Sequence, residues 1–204
     1  VFFSLLILIS CSNSSVNKLS MSDFGKAPNG EVVKKFKLTN SNGLSMEVIN
    51  YGAIITNLYV PDSTGSLKDV VLGFNDFNNY YENNPYFGAI IGRYGNRISN
   101  GTFLLDGVSY KLEQNNGPNS LHGGLVGFDK VFWKFIKEKS NNQSLYLEYY
   151  SKDMEEGFPG NLIVGVEYSL NDFNELKIKY TASTDKKTII NLTQHSYFNL
   201  SGES

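Results

Sequence analysis

The 204-residue chain has two histidines, His122 and His195, and one cysteine, Cys11. An imidazole gives and recovers a proton near neutrality because its ordinary pKa is about 6.5. His122 lies in Asn115-Asn116-Gly117-Pro118-Asn119-Ser120-Leu121-His122-Gly123-Gly124. A loop so rich in Gly, Asn and Pro suits a backbone that approaches a ligand closely. His195 lies in Asn191-Leu192-Thr193-Gln194-His195-Ser196-Tyr197-Phe198-Asn199-Leu200. Strand alternation there would put Thr193, His195 and Tyr197 on one face and Gln194, Ser196 and Phe198 on the other. The first face is too polar for an ordinary core and suits a hydrogen-bonding cleft. A third segment, Gly92-Arg93-Tyr94-Gly95-Asn96-Arg97-Ile98, carries two guanidinium groups. Each is a rigid fork of donors matched to sugar oxygens or to a carboxylate. Each arginine serves equally well as a structural ion-pair partner or a ligand contact.

Several chemistries are disfavoured. There is no His-x-x-x-His or His-Glu-x-x-His spacing and no second cysteine, which argues against zinc. No segment forms a phosphate loop, a dinucleotide fingerprint or a Gly-x-Ser-x-Gly nucleophile elbow. Net charge is −2 without a basic stretch, so no nucleic-acid surface is expected. What remains is cofactor-free acid–base chemistry on a polar, neutral ligand.

The elements that must position these residues read as strands. Leu176, Ile178 and Tyr180 alternate with polar neighbours, as do Leu145, Leu147 and Tyr149, and Val164, Val166, Tyr168 and Leu170. Asn42-Gly43 and Asp106-Gly107 supply hairpin turn chemistry. All five prolines fall at loop-like positions. One helical turn fits Asp76 to Tyr81, and no long amphipathic helix is evident. The class is all-β, a large antiparallel sandwich or barrel. The 13 Tyr and 14 Phe fill such a core, and some can pack on the apolar faces of a sugar.

Residues 1–10 are almost entirely apolar, too short to span a bilayer at roughly 20 residues, and fit the apolar region of a secretory signal. Leu8-Ile9-Ser10-Cys11 followed by Ser12-Asn13-Ser14-Ser15 resembles a bacterial lipobox, with Cys11 lipidated as the mature N-terminus. The rival is an ordinary signal peptide with an incidental cysteine. The organisation expected is a signal segment over 1–10, a tether over 11–30 and a partial β-sandwich domain over 31–204. The localisation expected is the bacterial envelope, periplasmic or surface-facing, with the membrane met only through the lipid on Cys11.

Four motifs in order, Gly92 to Ile98, Pro118 to Gly124, Glu156-Gly157-Phe158-Pro159-Gly160 and His195-Ser196-Tyr197-Phe198-Asn199-Leu200, resemble the aldose 1-epimerase family. The similarity runs from about Gly30 onward. It implies a galactose-mutarotase-like β-sandwich without a cofactor, acting on a free monosaccharide such as glucose or galactose. By that resemblance His195 is the general acid, and His122 binds substrate. Asn96 and Arg97 contact the sugar, and Tyr197 lines the same site. Gln194 departs from the commoner Asn but keeps an amide. The family's general-base Glu and a sugar-binding Asp come from a C-terminal portion that lies beyond Ser204. The 204 residues alone are therefore expected to be inactive and prone to aggregate through uncovered strand edges. Glu155 and Glu156 are expected on a solvated loop, with no claim to replace the base. The alternatives are an inactive sugar-binding envelope lipoprotein on the same fold, an epimerase of phosphorylated hexoses (for which no basic cluster is seen) and a structural envelope protein.

Overall fold

The computed structural model describes residues 17–202. Five strands form one antiparallel sheet in sequence order: β1 (Lys18–Lys26), β2 (Val32–Thr39), β3 (Ser45–Ile49), β4 (Ile55–Pro61) and β5 (Leu67–Asp69). A short helix α1 (Phe77–Asn83) follows, its first turn capped by the Asp76 carboxylate accepting from the Asn79 backbone N–H at 3.1 Å. Then come β6 (Ile90–Ile91), β7 (Arg97–Ile98), the hairpin β8 (Thr102–Leu105) and β9 (Val108–Lys111), and β10 (Ser120–Leu121). A second antiparallel sheet is built from β11 (Lys134–Phe135), β12 (Ser144–Ser151), β13 (Leu162–Leu170) and β14 (Leu176–Thr184). The last strand, β15 (Thr193–Gln194), pairs with β6.

The alternating runs behave as their periodicity requires. Val164, Val166, Tyr168 and Leu170 are buried, as are Leu145 and Leu147, while Leu176, Ile178 and Tyr180 pack at the margin of the same cluster. That cluster also takes Phe36, Leu38, Met46, Val48 and Ile55 from the first sheet, so the two sheets share one core. The fully buried Tyr168 satisfies its hydroxyl by donating to the Ala53 carbonyl at 2.6 Å, tying the second sheet to the β3–β4 connection.

Two turns differ in kind. Asp106-Gly107 is a two-residue hairpin turn between Leu105 and Val108, both residues left-handed (φ 51° and 81°). At Asn42-Gly43 only Gly43 is left-handed (φ 85°). The loop there is longer, because the Asn40 side chain accepts from the backbone N–H groups of Asn42 and Leu44 and organises it. The tether expected over 11–30 is also corrected. From Lys18 the chain is already strand β1, paired with β2 from Lys18↔Thr39 onward. Its polar composition reflects an edge strand, not a linker. The signal segment and Cys11 lie outside the described residues. Among the described residues no helix is long and apolar enough to cross a membrane.

Candidate functional site

The two histidines, 73 residues apart in sequence, meet. Their ring centroids are 5.1 Å apart at 85°. His122 is held by the β7–β10 ladder, in which Arg97 faces Leu121. One step beyond that pair, Asn96 and His122 exchange two bonds. The His122 N–H donates to the Asn96 carbonyl at 3.0 Å, and the Asn96 N–H donates to His122 Nδ1 at 3.0 Å. With Nδ1 engaged as an acceptor, the neutral ring carries its proton on Nε2, which becomes the available donor. Burial, with His195 and Arg97 nearby, lowers the His122 pKa to about 4, so the ring is neutral at physiological pH. Both residues adopt left-handed backbone, with φ 65° at Asn96 and 54° at His122. Gly123 follows because a Cβ there would overlap the Gly92 carbonyl oxygen.

His195 is fixed from a different side. β15 pairs with β6, and the His195 N–H donates to the Ala89 carbonyl at 2.9 Å while its carbonyl accepts from Gly88 N–H at 3.2 Å. The strand ends at Gln194 and does not run on through Tyr197 as expected. The Gln194 amide donates to the Gly88 carbonyl at 2.8 Å and accepts from the Ser196 N–H at 2.9 Å, which turns the chain. His195 and Tyr197 are nevertheless neighbours, with ring centroids 5.2 Å apart, and Tyr197 keeps 45% of its surface exposed.

Arg97 and Arg93 separate cleanly. Arg97 is exposed, with Nε donating to Asn116 Oδ1 at 2.9 Å and a terminal nitrogen to Asn96 Oδ1 at 3.3 Å. Among the described residues no carboxylate forms an ion pair with it. Arg93 is 2% exposed, and its five donors find Ser151 Oγ, Thr188 Oγ1 and the carbonyls of Ser151, Lys152 and Pro159. Its guanidinium also lies 6.0 Å from the Phe158 ring. Arg93 is thus structural, although its partners are mostly backbone oxygens and not a carboxylate.

Other residues at the site carry no site role in the sequence reading. Tyr86 is left-handed (φ 68°) and packs on both imidazoles, 4.7 Å from His122 and 5.7 Å from His195 between centroids. Phe87 meets Tyr197 edge-on at 5.1 Å. In sequence these two read like any other aromatics before an apolar run. Asp129 is a buried carboxyl whose pKa rises to about 6, because desolvation outweighs the favourable field of Lys130. Asn115 and Asn116 sit in the loop that drew attention to His122, and only their composition hinted at a role. Glu155 and Glu156 do not sit on a free solvated loop. Glu155 accepts from the Tyr149 hydroxyl at 2.7 Å and from Ser151 Oγ, and Glu156 accepts from the backbone N–H groups of Leu125 and Val126. Among the described residues no three His, Cys, Asp or Glu side chains gather to hold a metal ion.

The arrangement is a pair of imidazoles on an aromatic wall, flanked by an amide and an exposed guanidinium. The family model described as Aldose 1-epimerase matches residues 34–204. The chain belongs to the aldose 1-epimerase family. A galactose mutarotase from Sus scrofa is 48% identical over 186 residues, covering 91% of this chain and 53% of the relative. The aldose 1-epimerase of Escherichia coli K12 is 38% identical over 177 residues, covering 87% and 51%. Among solved structures, a galactose 1-epimerase from Lactobacillus acidophilus aligns with a TM-score of 0.79 at 27% identity over 91% of this chain and 54% of its own. An aldose epimerase homologue from C. elegans aligns at 0.77 with 33% identity, over 82% and 51%. The chain spans about half the length of the curated relatives it matches. Both structural likenesses agree with the antiparallel β-rich architecture described above.

Proposed function

We propose that the whole protein is an aldose 1-epimerase that interconverts the α and β anomers of free hexoses such as glucose and galactose. The observation that carries this reading is the meeting of His122 and His195 at 5.1 Å beside Asn96 and Arg97. One imidazole is kept neutral with a single outward donor. The other is attached to a separate strand pair, and among the described residues nothing hydrogen-bonds its side chain.

In the proposed reaction the C1 hydroxyl loses a proton to a base while His195 donates one to the ring oxygen. The C1–O bond to the ring oxygen breaks and an open-chain aldehyde forms. Rotation about C1–C2 presents the other face of the carbonyl. Reclosure returns one proton to His195 and one to C1–O. The family resemblance assigns the base to a Glu in the portion of the relatives beyond the matched half. Here His122 Nε2–H, Asn96 and Arg97 hold sugar hydroxyls, and Tyr197 lines the site. Since Arg97 is the one fixed charge among these, it contributes the most binding; a hydrogen bond to a charged group is worth about 1.5–3 kcal/mol.

Polarimetry of freshly dissolved α-D-galactose and α-D-glucose tests the reading. The whole protein should bring rotation to equilibrium far faster than buffer alone. Sugar binding by calorimetry with no acceleration would instead make the protein an inactive sugar binder. We further propose that Cys11 carries lipid and holds the protein at a bacterial envelope membrane. A single acyl chain binds reversibly, so a stable anchor requires more than one. Mass spectrometry of the mature N-terminus should show a lipidated Cys11, and an unmodified residue downstream of Cys11 would contradict the anchor.

A further inference from the structure

We infer that Glu156, in the Glu-Gly-Phe-Pro-Gly motif, is a positioning residue that clamps the loop carrying His122. The inference rests on the proposed role of His122 in sugar binding. The Glu156 carboxylate accepts from Leu125 N–H at 2.7 Å and from Val126 N–H at 3.1 Å, only three and four residues past His122. The contact is close on the loop side as well. A Cβ at Gly124 would overlap Glu156 Oε2, so the second glycine of Leu-His-Gly-Gly is where the carboxylate seats. Two neighbouring N–H groups converging on one carboxylate give charge-assisted bonds, stronger than neutral ones.

The clamp has a rigid base. Glu156 itself is left-handed (φ 51°), and its carbonyl accepts from Glu113 N–H at 3.2 Å. Gly157 follows because a Cβ there would overlap the Lys111 carbonyl at the end of β9. Two and three residues past Glu156, Phe158 and Pro159 hold the buried Arg93. A non-glycine residue in this backbone region persists only where its surroundings over-determine it.

The other grips on the loop leave Glu156 a distinct share. Asn115 bonds Leu121 N–H and the carbonyls of Leu121 and Gly124, and Lys130 Nζ donates to the Leu125 carbonyl at 2.8 Å. Among the described residues only Glu156 takes the N–H groups of Leu125 and Val126, the two residues directly after the glycines; farther on, the Phe128 N–H donates to the Gly92 carbonyl at 3.2 Å. His195 hangs from Ala89 and Gly88 on a different strand pair. Loosening the clamp should therefore move the sugar-binding imidazole and spare the proton donor.

The test uses the whole protein with Glu156→Ala and Glu156→Gln. Leu125 and Val126 are half exposed, so water can replace the lost bonds in the alanine variant. Nitrogen-15 NMR of the imidazoles reads whether His122 keeps a single Nε2–H tautomer; mutarotation gives KM and kcat for galactose. The expected result in Glu156→Ala is a mixed His122 tautomer and a KM raised roughly tenfold, below the ~10²-fold that a 1 Å misplacement can cost. The kcat should change little. Glu156→Gln, which keeps one acceptor oxygen, should fall between Ala and wild type, and it decides the matter if the alanine variant does not fold. An unaltered His122 tautomer with unaltered KM in a folded variant would overturn the clamp. A wild-type protein that turns over no sugar would refute the proposed function, while the NMR comparison would still decide the clamp.

Discussion

Arg93 and Arg97 stand four residues apart in one short segment and do opposite things. Arg93 turns into the fold, where its donors are all taken by fixed oxygens from the β12 end, the Phe158-Pro159 turn and Thr188. Arg97 turns outward, its fork steadied, among the described residues, by the two amides of Asn96 and Asn116. A guanidinium with every donor satisfied by fixed protein oxygens is structure. One held at its base by amides and facing solvent is ready to bind. The difference is not in residue type but in the neighbours: those of Arg93 return from more than 50 residues away, whereas those of Arg97 are local.

The largest expected effect follows from the buried partner. Arg93→Ala strands several buried carbonyls, each unsatisfied group costing about 1–3 kcal/mol, and should lower stability by ~3 kcal/mol or more in urea unfolding. Arg93→Lys should not rescue it, because an ammonium cannot reproduce the fork. Near-wild-type unfolding in either variant would break the contrast. Next in size, Arg97→Ala should lower kcat/KM by about 1.5–3 kcal/mol with the unfolding midpoint almost unchanged. Unfolding without a kinetic defect would make Arg97 structural too.

A smaller pair of effects sharpens the comparison through pH. The His122 pKa falls from its ordinary 6.5 to about 4 in the fold. Between those values the unfolded chain binds a proton that the folded chain refuses, so stability is lost as pH falls through that window. The Asp129 pKa rises from 3.8 to about 6. Over that overlapping window the folded chain holds the extra proton, so stability is lost as pH rises. The two slopes oppose each other. His122→Gln should leave a protein that gains stability as pH falls from 6 toward 4, and Asp129→Asn one that loses it. Unfolding titrations of the two variants with parallel pH profiles would show that these environments are wrongly described.

The sequence reading and the structure agree where the signal is local or periodic. The strand faces of Leu145, Val164 and Leu176, the Asp106-Gly107 turn and the helical turn after Asp76 all follow from side-chain alternation and turn chemistry. Through its four motifs the family resemblance selected His122, His195, Asn96 and Arg97, which the fold brings together. Tyr86, Asn116 and the role of Glu156 within its motif are not legible, because their significance is a contact across the chain. An aromatic after Pro85 has no signature until both imidazoles lie on it. A carboxylate before a Phe-Pro-Gly turn resembles a solvated one until Leu125 and Val126 point their N–H groups at it. Strand β1 was hidden for another reason: an edge strand tolerates the polar, Ser- and Lys-bearing composition of a linker.

The central claim is that His195 delivers the proton that opens the sugar ring. The most direct measurement is the mutarotation rate of α-D-galactose with the whole protein and with His195→Ala, compared at saturating sugar. A well-placed general acid contributes about 10²–10⁴-fold, so the variant should lose at least that lower factor in kcat while still binding sugar through His122, Asn96 and Arg97. A His195→Ala protein that equilibrates the anomers at the wild-type rate would contradict the account.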